Sequence, residues 1–304
     1  MTLEEGFNYF LKQARARNLS AATIRSYKEN FKYFTDFYSG NLTDINNEVI
    51  INFVEYLQKR GIKPTSINTV LRHLKAVLNF FKDNDFIRQP LKIKFLKVNE
   101  AVKDCYTDEE LLLLLKKPDL KKVTFAEYRT WVMINFLIGT GCRISTLVNI
   151  RVGDIDFENE LIAYRHTKNK RLQYIPLAKQ LAKVIWEYLQ LRSDEWDENS
   201  LLFPSENNTV LKPNTVSHLI ASYNRKRGVK KTSAHLFRHT FAKNWILQGG
   251  DPLKLQKVLG HQSLTMVQHY ANLYKADLKR GFEDFSLLGK FTNEKITLQK
   301  RGKR

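Results

Sequence analysis

The chain has 304 residues, 43% of them apolar, with 19 Phe and 13 Tyr, which is length and core material enough for two domains. Its 50 Lys and Arg against 31 Asp and Glu give a formal charge of +19, so the expected partner is a polyanion rather than an acidic surface of its own. Two distant cysteines without CxxC spacing, no run near the ~20 apolar residues of a membrane span, and an acidic start, MTLEEGFNYF, exclude a disulfide scaffold, a zinc ribbon, a membrane protein and a signal peptide, leaving a cytoplasmic chain.

Residues 1 to 97 read as helical throughout, a bundle of four or five helices. Ser20 is placed to cap a helix in which Ile24, Tyr27, Phe31 and Phe34 recur at spacings of three and four, the period of one helical face. Gly40-Asn41 breaks it. Thr43 or Asp44 caps the next helix, which carries Ile50, Phe53, Val54 and Leu57 and closes at Lys59-Arg60-Gly61 with cations at its negative end. Pro64-Thr65-Ser66 opens a third. One side of it holds Ile67, Val70, Leu71, Leu74, Leu78 and Phe81, and the other Asn68, Arg72, His73 and Lys75. The stretch from Gln89 to Val102 contains Pro90, alternates Lys with apolar residues, and is read as a connector, with the linker proper over 98–103.

A second domain is expected over 104–290, mostly helical with one small sheet. Thr107-Asp108-Glu109-Glu110 has the pattern of a capped helix start. Trp131 to Leu137 is apolar and fits a buried helix ending at Gly139 or Gly141. The stretches 154–164 and 171–176 alternate apolar with polar residues around a basic turn, Lys168-Asn169-Lys170, which predicts a three-stranded hairpin arrangement. Helices resume from Leu177. Asp251-Pro252 starts one, Gly260 ends it, and Ser263 caps the helix carrying Tyr270. The last residues, 291–304, form a basic tail. The fold class is therefore mainly α, with a helical bundle followed by a helical domain containing a small antiparallel sheet.

Several residues suit the cutting of a phosphodiester by a tyrosine. Arg143 stands in Thr140-Gly-Cys-Arg143-Ile-Ser145; His235-Leu-Phe-Arg238-His239-Thr240, Leu259-Gly260-His261 and Tyr270 follow. Arginine never loses its charge and can grip phosphate through two parallel hydrogen bonds, where the transition state gathers negative charge. Lysine or histidine can protonate a departing alkoxide. A tyrosine ester conserves the bond energy, so strands rejoin without ATP. Singly, each residue has an ordinary reading: Arg143 a surface arginine, Lys168 a solvated hairpin tip, Tyr270 a half-buried core tyrosine beside Met266 and Val267. His235 and His239 lie one turn apart, as a metal pair can, but Leu236 stands where a metalloprotease helix carries glutamate. The joint occurrence in this order is what the ordinary readings fail to explain.

That order resembles the tyrosine recombinases, the family of phage integrases and Xer-type resolving enzymes. Thr140 to Ser145 resembles the family's first arginine box, Thr167-Lys168-Asn169-Lys170 its lysine hairpin, His235 to Thr240 its second box, and Leu259-Gly260-His261 with Tyr270 its third. The first domain is similar, more loosely, to the family's SAM-like core-binding domain, through 20–27 and 64–69. The resemblance implies that Tyr270 attacks the scissile phosphate and becomes linked to the 3′ end, Arg143 and Arg238 hold the phosphate oxygens, and Lys168 protonates the 5′-oxygen. His235 would act as general acid/base, His261 would hydrogen-bond the phosphate, and His239 would pack behind Arg238. One departure stands out: Thr146 occupies a position, three after the arginine, where the family usually carries an acid.

The resemblance further implies no metal, no nucleotide cofactor and no small-molecule substrate. It implies a clamp on double-stranded DNA with paired sites, a Holliday junction, and a homo-tetramer joined by the apolar stretch 276–291. Asn68, Arg72 and Lys75 are candidates for groove or phosphate contacts, and Arg225, Arg227, Lys230 and Lys231 for phosphate contacts. The early start of the first domain points to a simple Xer-like or mobile-element recombinase without an extra arm-binding domain. The alternatives are a type IB topoisomerase and an accessory protein that binds DNA without cutting.

Overall fold

The computed structural model describes residues 1–87, 89–98, 104–165 and 172–260, so the readings on Lys168, His261, Tyr270 and the tail from 276 lie outside the described residues. The chain divides into two units, Met1–Ala101 and Val102–Arg304.

In the first unit, α1 (Leu3–Ala16) begins with a capping box in which the Thr2 hydroxyl accepts from the Glu5 N–H and the Glu5 carboxylate accepts from the Thr2 N–H. Helix α2 (Ala21–Thr35) starts at Ser20, whose hydroxyl accepts from the Thr23 N–H. Helix α3 (Asn47–Lys59) is capped by Asn46 and not by Thr43 or Asp44, which fall in or beside a short 3-10 turn, Leu42–Asp44. The Asn46 side-chain carbonyl reaches the N–H groups of both Glu48 and Val49, a bond those two residues sit too far upstream to make. Helix α4 (Pro64–Asp83) opens on proline, which has no N–H to leave unsatisfied. Its Ile67, Leu71, Leu74 and Phe81 are buried against Phe31, Phe34, Phe53 and Leu57, each contributing roughly 1.5–3 kcal/mol.

Residues 91–96 correct the connector reading of 89–102. Leu91, Ile93 and Leu96 pack against the first unit's core. An extended segment has no internal backbone partners, so it must find them elsewhere. The Leu96 N–H donates to Asn68 Oδ1 at 2.8 Å, Asn68 Nδ2 donates to the Leu96 carbonyl at 2.9 Å, and the Lys92 N–H donates to Asn47 Oδ1.

In the second unit, α5 (Asp108–Leu115) begins with a capping box between Thr107 and Glu110. Helix α6 (Phe125–Thr140) is apolar nearly all round and therefore buried, packing on α8 (Lys179–Gln190), α9 (Pro213–Lys226) and α10 (His235–Leu247). It stops at Gly141, not Gly139, because Gly141 takes the left-handed conformation at φ +63°. A short α7 (Ile144–Leu147) follows. Strands β1 (Ile155–Asp156), β2 (Leu161–Tyr164) and β3 (Gln173–Pro176) form an antiparallel sheet in that order, and Tyr164 faces Gln173 at the rung nearest the β2–β3 turn. Helix α11 (Pro252–Leu259) is capped by Asp251 and ends at Gly260, φ +61°. Among the described residues, no helix is long and apolar enough to cross a membrane.

Candidate active site

The turn after α6 delivers the first arginine. Gly141 has no room for a side chain, since a Cβ there would lie 2.6 Å from the Phe241 ring and 2.8 Å from Leu259. The chain then reverses: the Cys142 N–H donates to Thr140 Oγ1, and Arg143 stands at the N-terminal edge of α7, extended and half-buried. Burial pulls its pKa below the ordinary arginine value, though an arginine remains charged. Burial also pushes the neighbouring Cys142 thiol up to about 11, so it is a protonated, packed group rather than a nucleophile. Thr146 is buried, and its N–H donates to the Arg143 carbonyl.

Arg238 comes from one turn inside α10 and is 3% exposed. It donates from Nη1 to the Gly141 carbonyl and from Nη2 to the Leu259 carbonyl, both at 2.8 Å. Arg143 Nη1 approaches the same Leu259 oxygen at 3.5 Å. Residues 95 positions apart in sequence thus aim their guanidinium groups at a single oxygen acceptor at the end of α11. His235, by contrast, is exposed at the first position of α10, so it does not share the burial of Arg238 despite the spacing of three. His239 is buried, its ring meeting that of His235 edge-to-face with centroids 4.5 Å apart.

The end of α11 is held from a second direction. Gln173 Nε2 donates to the carbonyls of Lys257, at 2.5 Å, and Val258, at 2.9 Å. Across the rung, Tyr164 is buried, which raises its phenol well above the usual value. At the hairpin base, Arg165 pairs with the buried Asp154 carboxylate at 2.5 Å. The second box is braced by the segment before α5: the Tyr106 N–H donates to Thr240 Oγ1, the Tyr106 hydroxyl to the Ser233 carbonyl, and Asn224 Nδ2 to the Tyr106 hydroxyl. Sequence reasoning missed Tyr106, Gln173 and Asn224, because a single buried polar residue carries no periodicity or spacing signal.

Of the basic and polar residues read as DNA contacts, Arg72, Lys75, Arg225 and Lys230 are exposed. Lys75 lies over the Phe95 ring and Arg227, half-exposed, over the Tyr223 ring. Asn68 is corrected: it is 8% exposed, with both ends of its amide taken by Leu96. Lys231 is also corrected, since its ammonium is held by Asp104, Glu110 and the Cys105 carbonyl. Burial works against that charge, but the hydrogen bonds the ammonium donates to Glu110 and Asp104 outweigh it and raise the pKa.

Known proteins resemble this chain in sequence and in fold. The sequence profile described as "Phage integrase family" matches residues 105–277, and that described as "Phage integrase SAM-like domain" matches residues 2–95. Tyrosine recombinase XerA of Pyrococcus furiosus is 30% identical over 287 residues, spanning 94% of each chain. In fold, the chain is similar to the Tn1549 transposon integrase solved with transposon right end DNA, at TM-score 0.75 and 21% identity over 92% of this chain and 99% of that one. It is also similar to lambda integrase solved as a tetramer bound to a Holliday junction, at TM-score 0.71 and 17% identity over 89% of this chain and 77% of that one. The two profile matches, over residues 2–95 and 105–277, and the 30% identity to a recombinase along 94% of the chain place this chain in the phage integrase family.

Proposed function

We infer that this chain is a site-specific DNA recombinase that works through a covalent tyrosine ester. The observation that carries the reading is the convergence of Arg143 and Arg238 on the Leu259 carbonyl, an oxygen held as a phosphate oxygen would be. In the reaction, the Tyr270 phenol oxygen bonds to phosphorus and the bond from phosphorus to the 5′-oxygen breaks. Lys168 gives that oxygen its proton, leaving a 3′-phosphotyrosine and a free 5′-hydroxyl. Arg143 and Arg238 neutralise the non-bridging oxygens, His261 adds a hydrogen bond to the phosphate, and His235 moves the tyrosine's proton. Attack by a 5′-hydroxyl from a second duplex reverses the chemistry and gives a Holliday junction. No step requires a metal or a nucleotide.

Residues 1–97 bind DNA with Arg72 and Lys75, and residues 104–290 cut it, with Arg225, Arg227 and Lys230 on flanking phosphates. The apolar stretch 276–291 docks on a neighbouring copy, making a tetramer such as the one in which lambda integrase was solved on its junction. The setting is a mobile element or a chromosome in the cytoplasm, at the nucleoid.

The test starts from duplexes enriched out of random-sequence DNA by binding to the full chain, then nicked beside the cleavage point so that a cut strand is lost. Wild type is expected to leave a covalent adduct that survives denaturant, and Tyr270→Phe to leave none. Binding without an adduct from wild type would reduce the protein to an accessory factor. Relaxation of a plasmid without recombination of two sites on it would make the protein a topoisomerase. Deleting 277–304 should abolish pairing of two duplexes while single-site binding persists; pairing left intact removes the docking role.

A further inference from the structure

We propose that Gln173 is a positioning residue that locks the lysine-bearing hairpin to the end of α11, so that both reach the phosphate in register with the arginine pair. The inference rests on the transesterification reading above and extends it to a residue that makes no contact with substrate.

The last carbonyls of a helix have no partners within it and must be satisfied from outside. On α11 the Gly260 N–H turns back to the Lys257 carbonyl, and side chains of the site supply further donors. Gln173 donates to Lys257 and Val258, while Arg238 and Arg143 approach Leu259. Gln173 is the first residue of β3, directly opposite Tyr164, so it sits on the last rung before residues 166–171, the sequence that carries Lys168. Fixing that rung fixes the end of the ladder to which that sequence is joined. On the other side, α11 ends at Gly260, immediately before His261. A Cβ at Gly260 would lie 2.9 Å from Gln173 Oε1, so amide and turn are in close contact. One side chain therefore ties the lysine hairpin to the turn that leads into the third box, and neither arginine makes that connection.

A displacement of about 1 Å in a reacting group can cost on the order of 100-fold in rate. Losing the Gln173 bonds should thus slow the step that needs Lys168 without changing how tightly DNA binds. Gln173→Glu keeps the shape but removes the N–H donors and sets a carboxylate against two carbonyl oxygens. Gln173→Arg returns N–H donors to the same place.

The experiment measures single-turnover adduct formation at saturating DNA, using the full chain and the nicked duplex described above. The duplex is made in two forms, one with the ordinary 5′-oxygen and one with sulfur at that bridging position, which departs as a thiolate and needs no proton. Gln173→Glu is expected to be at least roughly ten-fold slow on the oxygen duplex, a partial loss of the ~100-fold or more that general acid catalysis supplies. It should come within about three-fold of wild type on the sulfur duplex. Kd and Tm should stay near wild type, and Gln173→Arg should regain most of the rate. Wild-type speed on the oxygen duplex overturns the proposal, as does a loss that tracks Kd and Tm. So does slowness on both duplexes when Lys168→Ala is rescued by sulfur. If Lys168→Ala is itself not rescued, the acid assignment fails instead. The positioning role then stands on a ten-fold loss at unchanged Kd and Tm, and falls without it.

Discussion

Asn68 and Arg72 look alike in the sequence, two polar residues on the side of α4 away from its apolar stripe. Periodicity separates polar from apolar positions, but it cannot separate a side chain facing water from one facing a backbone that needs hydrogen bonds. Asn68 is of the second kind, and its partner lies 28 residues on, beyond any local pattern. Leu112 is the opposite case, an apolar residue 74% exposed within a run of five leucines. Asn68→Ala should leave the Leu96 N–H and carbonyl unsatisfied and cost about 1–3 kcal/mol in urea unfolding. Its DNA affinity, measured on folded protein, should match wild type, whereas Arg72→Ala should weaken binding. Equal unfolding curves for Asn68→Ala and wild type would refute the structural role.

Elements with both a periodic face and a chemical end signal were legible: Ser20 before α2, Pro64 at α4, Thr107 before α5, Asp251 before α11 and glycine after it. The three-stranded sheet was legible from the alternation of apolar and polar residues along its strands. The short α7, one turn long, has no period to read, and the cap of α3 was placed upstream because Thr43 and Asp44 are also good capping residues. Within the site, the arginine boxes were legible by motif, but the braces from Tyr106, Gln173 and Asn224 depend on tertiary proximity alone. Gly141 joins the two levels, ending α6 and exposing the carbonyl that Arg238 holds. Gly141→Ala places a Cβ in the left-handed region, a cost of about 1–2 kcal/mol before the clash with Phe241 and Leu259. A thermal melt should show Tm down by roughly 4 °C or more for a domain of this size. Adduct formation should fall further than DNA affinity. An unchanged melt would mean that the turn tolerates a side chain.

Across the whole molecule, a net charge of +19 does not fall evenly on DNA-facing residues. Some cations hold the fold: Arg165 on Asp154, Arg192 on Asp194, and Lys231 on Asp104 and Glu110. Others, Arg225 and Lys230 among them, stand exposed. The two groups should separate in a salt titration. Each phosphate neutralised contributes about 0.9 to the slope of log K against log salt, so Arg225→Ala or Lys230→Ala should flatten the slope by about one. Lys231→Ala should leave the slope alone and lower Tm. A slope change from Lys231→Ala equal to that from Lys230→Ala would show that charge counts here irrespective of pairing.

The oxygen lodged between Arg143 and Arg238 belongs to the backbone, so it is tethered at a fixed local concentration that dilution cannot wash away. A stray sulfate or inorganic phosphate arriving from solution has to evict this resident with nothing else to hold it. A duplex already gripped along its length delivers its phosphate at a far higher effective concentration. Under the function proposed above, small anions should therefore make feeble inhibitors, and the guanidinium pair would answer to a polymer rather than to free phosphate.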